Sequence, residues 1–279
     1  MINRKTELLA DGFTFLEGPR WHGGELWMAE IGSNNVLALG LDGQRRNVVN
    51  VPGVPSGLGF LPDGTPLVLA MTERRLYKIV DGELELHADL SGISPMINDM
   101  VVDEQGRAYV GDVGFDIFAS LEPDKTGNIV IVQPDGSVSV GAEGLVCPNG
   151  CAITGDGRLV VAESLANRIS FFPIGQDGSL GARASSVDMG GLPDGICVDR
   201  EDAVWVSVSD QSRFDRVLNG EVVERVEVPG GLAVACQLGG EDGRTLFCLI
   251  FDGDHSQIGK IVATRVETAK VDVPGRGSP

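Results

Sequence analysis

Glu17, Asn98, Asn149 and Asp194 are oxygen-bearing side chains that stand at the same position of a phrase recurring along the 279-residue chain. The copies read Glu17-Gly-Pro-Arg-Trp, Ser56-Gly-Leu-Gly-Phe-Leu-Pro-Asp-Gly, Asn98-Asp-Met-Val-Val-Asp-Glu-Gln-Gly, Asn149-Gly-Cys-Ala-Ile-Thr-Gly-Asp-Gly, Asp194-Gly-Ile-Cys-Val-Asp-Arg-Glu-Asp and a degenerate Ala235-Cys-Gln-Leu-Gly-Gly-Glu-Asp-Gly. Brought together, the four would offer two carboxylates and two amide carbonyls. All-oxygen sets of this kind suit hard divalent cations such as Ca²⁺, Mg²⁺ or Mn²⁺, whereas Zn²⁺ more often takes His or Cys. The three histidines, His22, His87 and His255, all lie outside the slots, which disfavours a multi-histidine zinc site. Asn, Asp and Ser at strand starts also cap turns by bonding nearby backbone. Four polar slots out of six, with a Glu among them that is a poor turn residue, favour a site over a set of caps.

Elements of a particular kind are needed to bring such distant residues to one place. The slots fall at 17, 56, 98, 149, 194 and about 235, at steps of 39, 42, 51, 45 and about 41 residues. A period in the forties with four short strands per unit is the signature of β-propeller blades. In the fourth unit, Gly150-Cys-Ala-Ile reads as the first strand and Thr154-Gly-Asp-Gly as a tight turn. Strands follow at Arg158-Leu-Val-Val-Ala, Arg168-Ile-Ser-Phe-Phe-Pro-Ile and Ser185-Ser-Val-Asp-Met. The Asp-Gly pairs supply the positive φ that hairpins require. The expected fold is therefore all-β, a six-bladed β-propeller formed as one domain over residues 1–279. The stretch around Thr6-Glu-Leu-Leu-Ala is expected to add an outer strand to the last blade and so remove an open edge.

In this topology the first strand of each blade lines the central channel, and the variable slots converge on one mouth. The loop after each second strand returns to that face, adding Glu30, Asp112 to Asp116, Glu163, Asp210 and Asp252 as neighbours. Trp21, Trp27 and Trp205 fall within strands and are expected to be core residues of the blade interior rather than a ligand platform.

Composition narrows the partners. With 22 Lys and Arg against 40 Asp and Glu, the formal charge is −18, which repels phosphate backbones and anionic lipid surfaces. No nucleic acid and no membrane is expected, and the amino-terminal residues have no apolar export core, so the default location is cytoplasmic. Five cysteines, an odd number largely inside apolar strands, read as reduced core residues. The G-x-S-x-G, G-x-x-x-x-G-K-[ST], H-E-x-x-H and C-x-x-C patterns are all missing.

Leu16-Glu17-Gly18-Pro19-Arg20-Trp21, Pro55-Ser56-Gly57-Leu58-Gly59, Asn98-Asp99, Pro148-Asn149-Gly150 and Pro193-Asp194-Gly195 together resemble the gluconolactonase, regucalcin and luciferin-regenerating enzyme family, over nearly the whole chain. The resemblance implies a propeller that hydrolyses a small-molecule lactone with one divalent cation, Ca²⁺ first, with Mg²⁺, Mn²⁺ or Zn²⁺ as the other candidates. It further implies Glu17, Asn149 and Asp194 as metal ligands, and Asn98 as a contact of metal-bound water or substrate. Asp116 corresponds by count to an acidic substrate contact of the family. One position departs: Met96 stands where sugar-lactone hydrolases of the family often carry an Arg that bonds sugar hydroxyls, which opens the way to a less polar lactone.

The expected reaction is metal-assisted lactone hydrolysis, with Asp194 as ligand and general base, or with Asp99 or Asp116 handling the proton instead. Ser56 and Asn98 would orient the substrate, beside Met96. Two rivals stand next to it: a phosphotriester hydrolase on the same cation, and a non-catalytic Ca²⁺-binding scaffold. The oligomeric state is not legible.

Overall fold

The computed structural model describes residues 2–120 and 124–277. Six antiparallel sheets follow one another along the chain, each a meander from an inner to an outer strand. The inner strands are Leu16–His22, Pro55–Phe60, Ile97–Val102, Pro148–Ile153, Pro193–Val198 and Leu232–Gly239. The fold is thus the six-bladed β-propeller that the period predicts, and the described residues contain no α-helix. In the fourth blade the strands run Pro148–Ile153, Arg158–Glu163, Arg168–Pro173 and Ser185–Asp188, as the repeat implies.

Closure of the ring follows the expected route, with one addition. Glu7–Phe13 pairs antiparallel with Thr264–Lys270 and supplies the outer strand of blade six. The preceding segment, Ile2–Arg4, lies parallel on Glu221–Glu227 and gives blade five a fifth strand. Two consecutive segments therefore straddle the seam between blades five and six.

The core is divided into layers between neighbouring blades. Leu16, Leu26 and Met28 of blade one meet Val234, Phe247 and Phe251 of blade six, and Val204 and Val206 of blade five meet Val160 and Ala162 of blade four. Trp21 stacks on Phe247 at 5.2 Å, Trp27 meets Phe60 edge-on at 5.3 Å, and Trp205 is fully buried. The tryptophans pack in the core, as anticipated, within these interblade layers. All five cysteines are buried and unpaired.

The inner strands can crowd around the channel because a glycine follows the slot in four blades. A Cβ on Gly150 would stand 2.4 Å from the Asp194 carbonyl oxygen, and one on Gly18 would stand 2.6 Å from that of Ser56. Blade three carries Asp99 at this place. A carboxylate thereby enters ground that elsewhere belongs to backbone.

Candidate active site

Each slot sits second in its inner strand, directly before a bulge in the pairing with the next strand. The shift occurs between Glu17 and Arg20, Pro55 and Leu58, Ile97 and Met100, Pro148 and Cys151, and Pro193 and Ile196. A bulge leaves residues out of the regular ladder and re-aims them. In blade six the break lies between Ala233 and Ala235, with Leu232 paired to Phe251. The sixth copy presents Ala233, Val234 and Ala235 at this level, and none of them carries a side-chain ligand atom.

Acidic residues at the ends of second strands fix the loops that lead into the slots. The Glu30 carboxylate accepts from the Thr14 amide at 2.9 Å, and Asp112 accepts from Ser94 Oγ at 2.6 Å and Asn128 Nδ2 at 2.9 Å. Glu163 accepts from the Val146 amide at 2.9 Å, and Asp210 from the Leu192 amide at 2.8 Å. Burial pushes Glu163 up, but bonds from Arg168, Ser170 and Val146, with the charge of Arg183, outweigh it and hold its pKa below the usual value. These acids act as braces for the rim. Asp252 is engaged with Arg265 on the third strand of blade six.

Glu17 and Asp194 come close enough to feel each other. Burial first, then the charges of Asp194 and Asp99, raise the Glu17 carboxyl well above the usual carboxylate range. Asp194 is pushed up to about 7, by burial first and by Asp99 second, while a bond from the Asn149 side chain works the other way. The Asn149 Nδ2 also faces Ser164 Oγ at 3.3 Å, and Ser164 Oγ donates to the Pro193 carbonyl at 2.7 Å. Asn149 is thus tied to the strand that carries Asp194. Asp194 Oδ1 is buried and has no hydrogen-bond partner. An orphaned carboxylate oxygen is costly wherever water is excluded.

Beneath this group runs a crossing that sequence reading missed. Arg20 reaches from blade one to blade three, donating to Asp99 Oδ1 at 3.2 Å, to the Met100 carbonyl, and locally to the Pro19 carbonyl at 2.8 Å. Both side chains of the ion pair are less than one-tenth exposed. Burial nonetheless leaves Asp99 raised, with Arg20 pulling against it. No short-range pattern joins residues 79 positions apart; the only signal was the replacement of glycine by Asp99 in the phrase.

The remaining candidates stand as follows. Ser56 is 1% exposed, and its hydroxyl donates to the Asn98 backbone carbonyl, linking blades two and three. Asn98 is buried at the adjacent slot. Met96 is 3% exposed within an apolar cluster that includes Met71, Phe115 and Cys147. Asp116 is exposed, and its Oδ1 accepts from the Phe118 amide at 2.9 Å, closing a turn of its own loop. Burial, then the Asp194 charge, pushes the Cys147 thiol up to about 12, so it behaves as a small apolar group. Among the described residues, no group of three or more His, Cys, Asp and Glu side chains has metal-binding geometry. A set of two carboxylates and one amide carbonyl falls outside that definition.

A cavity of about 730 Å³ opens at the opposite end of the channel, lined by Val102, Ile153, Cys197, Gln237 and Arg276. Arg20, which pairs with Asp99, lines this cavity and stands between it and the acidic group.

Residues 15–250 match the model of the SMP-30/Gluconolactonase/LRE-like region. The chain belongs to this family. A pentonolactonase of Haloferax volcanii is 25% identical over 85% of this chain and 82% of its own length. A 6-deoxy-6-sulfogluconolactonase of Pseudomonas putida is 26% identical over 65% of this chain and 64% of its own length. The crystal structure of regucalcin from Agrobacterium tumefaciens, described as a calcium-binding protein, superposes with a TM-score of 0.82 at 21% identity, covering 100% of this chain and 98% of the other.

Proposed function

We propose that this family member hydrolyses a lactone at the rim formed by Glu17, Asn98, Asn149 and Asp194, with one divalent cation bound there. The observation that carries this reading is the buried, unpartnered Oδ1 of Asp194 beside a second, half-buried carboxylate, Glu17. The fit to a cation is good: every donor is an oxygen, the like charges of Glu17 and Asp194 resist burial together, and no amine or guanidinium of the described residues reaches Asp194 Oδ1. Glu17, Asn149 and Asp194 would hold the ion, and Ca²⁺ fits a set of this hardness. Bound there, it would supply Lewis-acid polarisation of the lactone carbonyl.

The chain's own groups account for the rest of the reaction. Water adds to the carbonyl carbon, its proton passes to a rim carboxylate, and the ring C–O bond breaks with return of a proton to the leaving alkoxide. The net change is lactone plus water to hydroxy acid. Asp194 is the better placed of the candidate bases, because Asp99 is held by Arg20 and Asp116 Oδ1 is spent on its own loop. Asn98 orients the substrate through its amide, and Ser56 fixes the Asn98 backbone.

The test is turnover of a lactone panel by chelator-stripped protein to which Ca²⁺, Mg²⁺, Mn²⁺ or Zn²⁺ is restored. Asp194→Ala should lower kcat/KM at least about a thousandfold, the scale of losing an electrostatic or proton-transfer group, with the β-rich spectrum retained. Full activity in that variant would sink the assignment. Faster cleavage of phosphotriesters than of any lactone would favour the phosphotriesterase reading, and a cation that raises Tm without any turnover would favour a scaffold.

A further inference from the structure

A second ring surrounds the polar slots. Immediately before the inner strands stand Phe15, Val54, Met96, Cys147, Leu192 and Gly231. Five of these carbonyls are held the same way, by the amide of the residue that follows the second strand: Ile31 to Phe15 at 2.9 Å, Met71 to Val54 at 2.8 Å, Val113 to Met96 at 2.8 Å, Ser164 to Cys147 at 3.1 Å and Ser209 to Leu192 at 2.8 Å. The fold thus builds a collar concentric with the slots. All six of its residues lack a hydroxyl, an amide side chain or a charge.

Over blades two to four the collar thickens into one packed apolar wall. Met71, Met96, Val113, Phe115 and Cys147 are buried in it, and Val54, Ile117 and Leu165 pack against it while remaining partly exposed. The wall abuts the site directly: Cys147 lies within reach of the Asp194 charge, and Leu165 follows Ser164, which contacts Asn149. Two of its members are held in an unfavourable backbone conformation, Val54 at φ 65° and Cys147 at φ 53°. Left-handed φ is a genuine outlier for a β-branched residue and persists only where the surroundings fix it. A glycine there would remove the strain and also the apolar side chain.

We infer that the lactone accepted at this rim carries an apolar substituent, an alkyl or aryl group, which lies against the partly exposed Val54, Ile117 and Leu165, with Met71 and Met96 packed behind them. This rests on the lactonase reading above and specifies its substrate class. A polyhydroxylated ring would have to strip water from its hydroxyls against a wall whose only polar atoms are a thiol and thioethers, and such unpaired groups count heavily against a ligand.

The experiment is a matched series at one ring size: an unsubstituted lactone, the same lactone with alkyl chains of increasing length, and its polyhydroxylated counterpart. The expected kcat/KM rises about three- to fourfold per added methylene over the first few, from the usual transfer free energy per CH₂. Leu165→Asn and Ile117→Asn should flatten that slope, with folding checked by thermal melts. A preference for the polyhydroxylated ring, or a slope that neither variant changes, would overturn the inference while leaving the lactonase reading intact. If no lactone is turned over with any cation, the lactonase reading fails on its own, and calorimetric binding of the corresponding hydroxy acids still reads the slope. No gain in their affinity with chain length overturns the apolar wall as a ligand surface.

Discussion

Arg20 and Asp99 show how one residue pair can serve two neighbouring spaces. Their ion pair closes the floor under Glu17 and Asp194 and separates it from the cavity at the other end. Removing one member of such a buried pair strands the other charge, which typically costs about 3–5 kcal/mol. Arg20→Met is therefore expected to lose stability of that order in urea unfolding, and adding Asp99→Asn should restore most of it. A single-variant loss below about 1 kcal/mol would show that the pair is not what holds the channel. Phrase recurrence made the slot residues Glu17, Asn98, Asn149 and Asp194 legible. It could not reveal that Ser56 spends its hydroxyl on Asn98, because that bond depends on how close two blades approach. Nor could it reveal the strained φ of Val54, since backbone angles at a non-glycine leave no compositional trace.

At the scale of elements, the strands that line the channel were predictable from turn chemistry and period, and the register within them was not. The inner strand of blade six, Leu232–Gly239, is longer than the other inner strands and breaks its pairing between Ala233 and Ala235, which no residue type announces. The closing strand followed from the ring's need to remove an open edge, not from any pattern in its residues. Phe13 at its end is fully buried between blades. A chain starting at Thr14 would expose the Thr264–Lys270 edge and lose that burial, worth about 1.5–3 kcal/mol for the aromatic alone. It is expected to melt well below the full chain and to aggregate, whereas a chain lacking only residues 1–5 should lose little. Equal melting temperatures for the two truncations would contradict the closure.

For the molecule as a whole, the net charge of −18 bears on the proposed cation. A field of this sign concentrates divalent ions near the rim and weakens as salt screens it. The apparent Kd for Ca²⁺ should rise several-fold between about 10 mM and about 150 mM monovalent salt. Ca²⁺ at a hundred times its Kd should add about 2.7 kcal/mol of stability. Calorimetry and melts at the two salt concentrations would measure both, and a Kd indifferent to salt would confine the electrostatics to the immediate ligands.

The two segments that straddle the seam also impose a timetable. Glu7–Phe13 leaves the ribosome early, yet its partner Thr264–Lys270 is made about 250 residues later. At about 5–20 residues per second, the strand waits on the order of ten seconds or more with its backbone unpaired. Ile2–Arg4 likewise waits for Glu221–Glu227, and blade five completes its sheet only when that strand emerges. The ring therefore closes as a late event of synthesis, and every earlier intermediate carries an open edge that a chaperone, or a second nascent chain, can reach first.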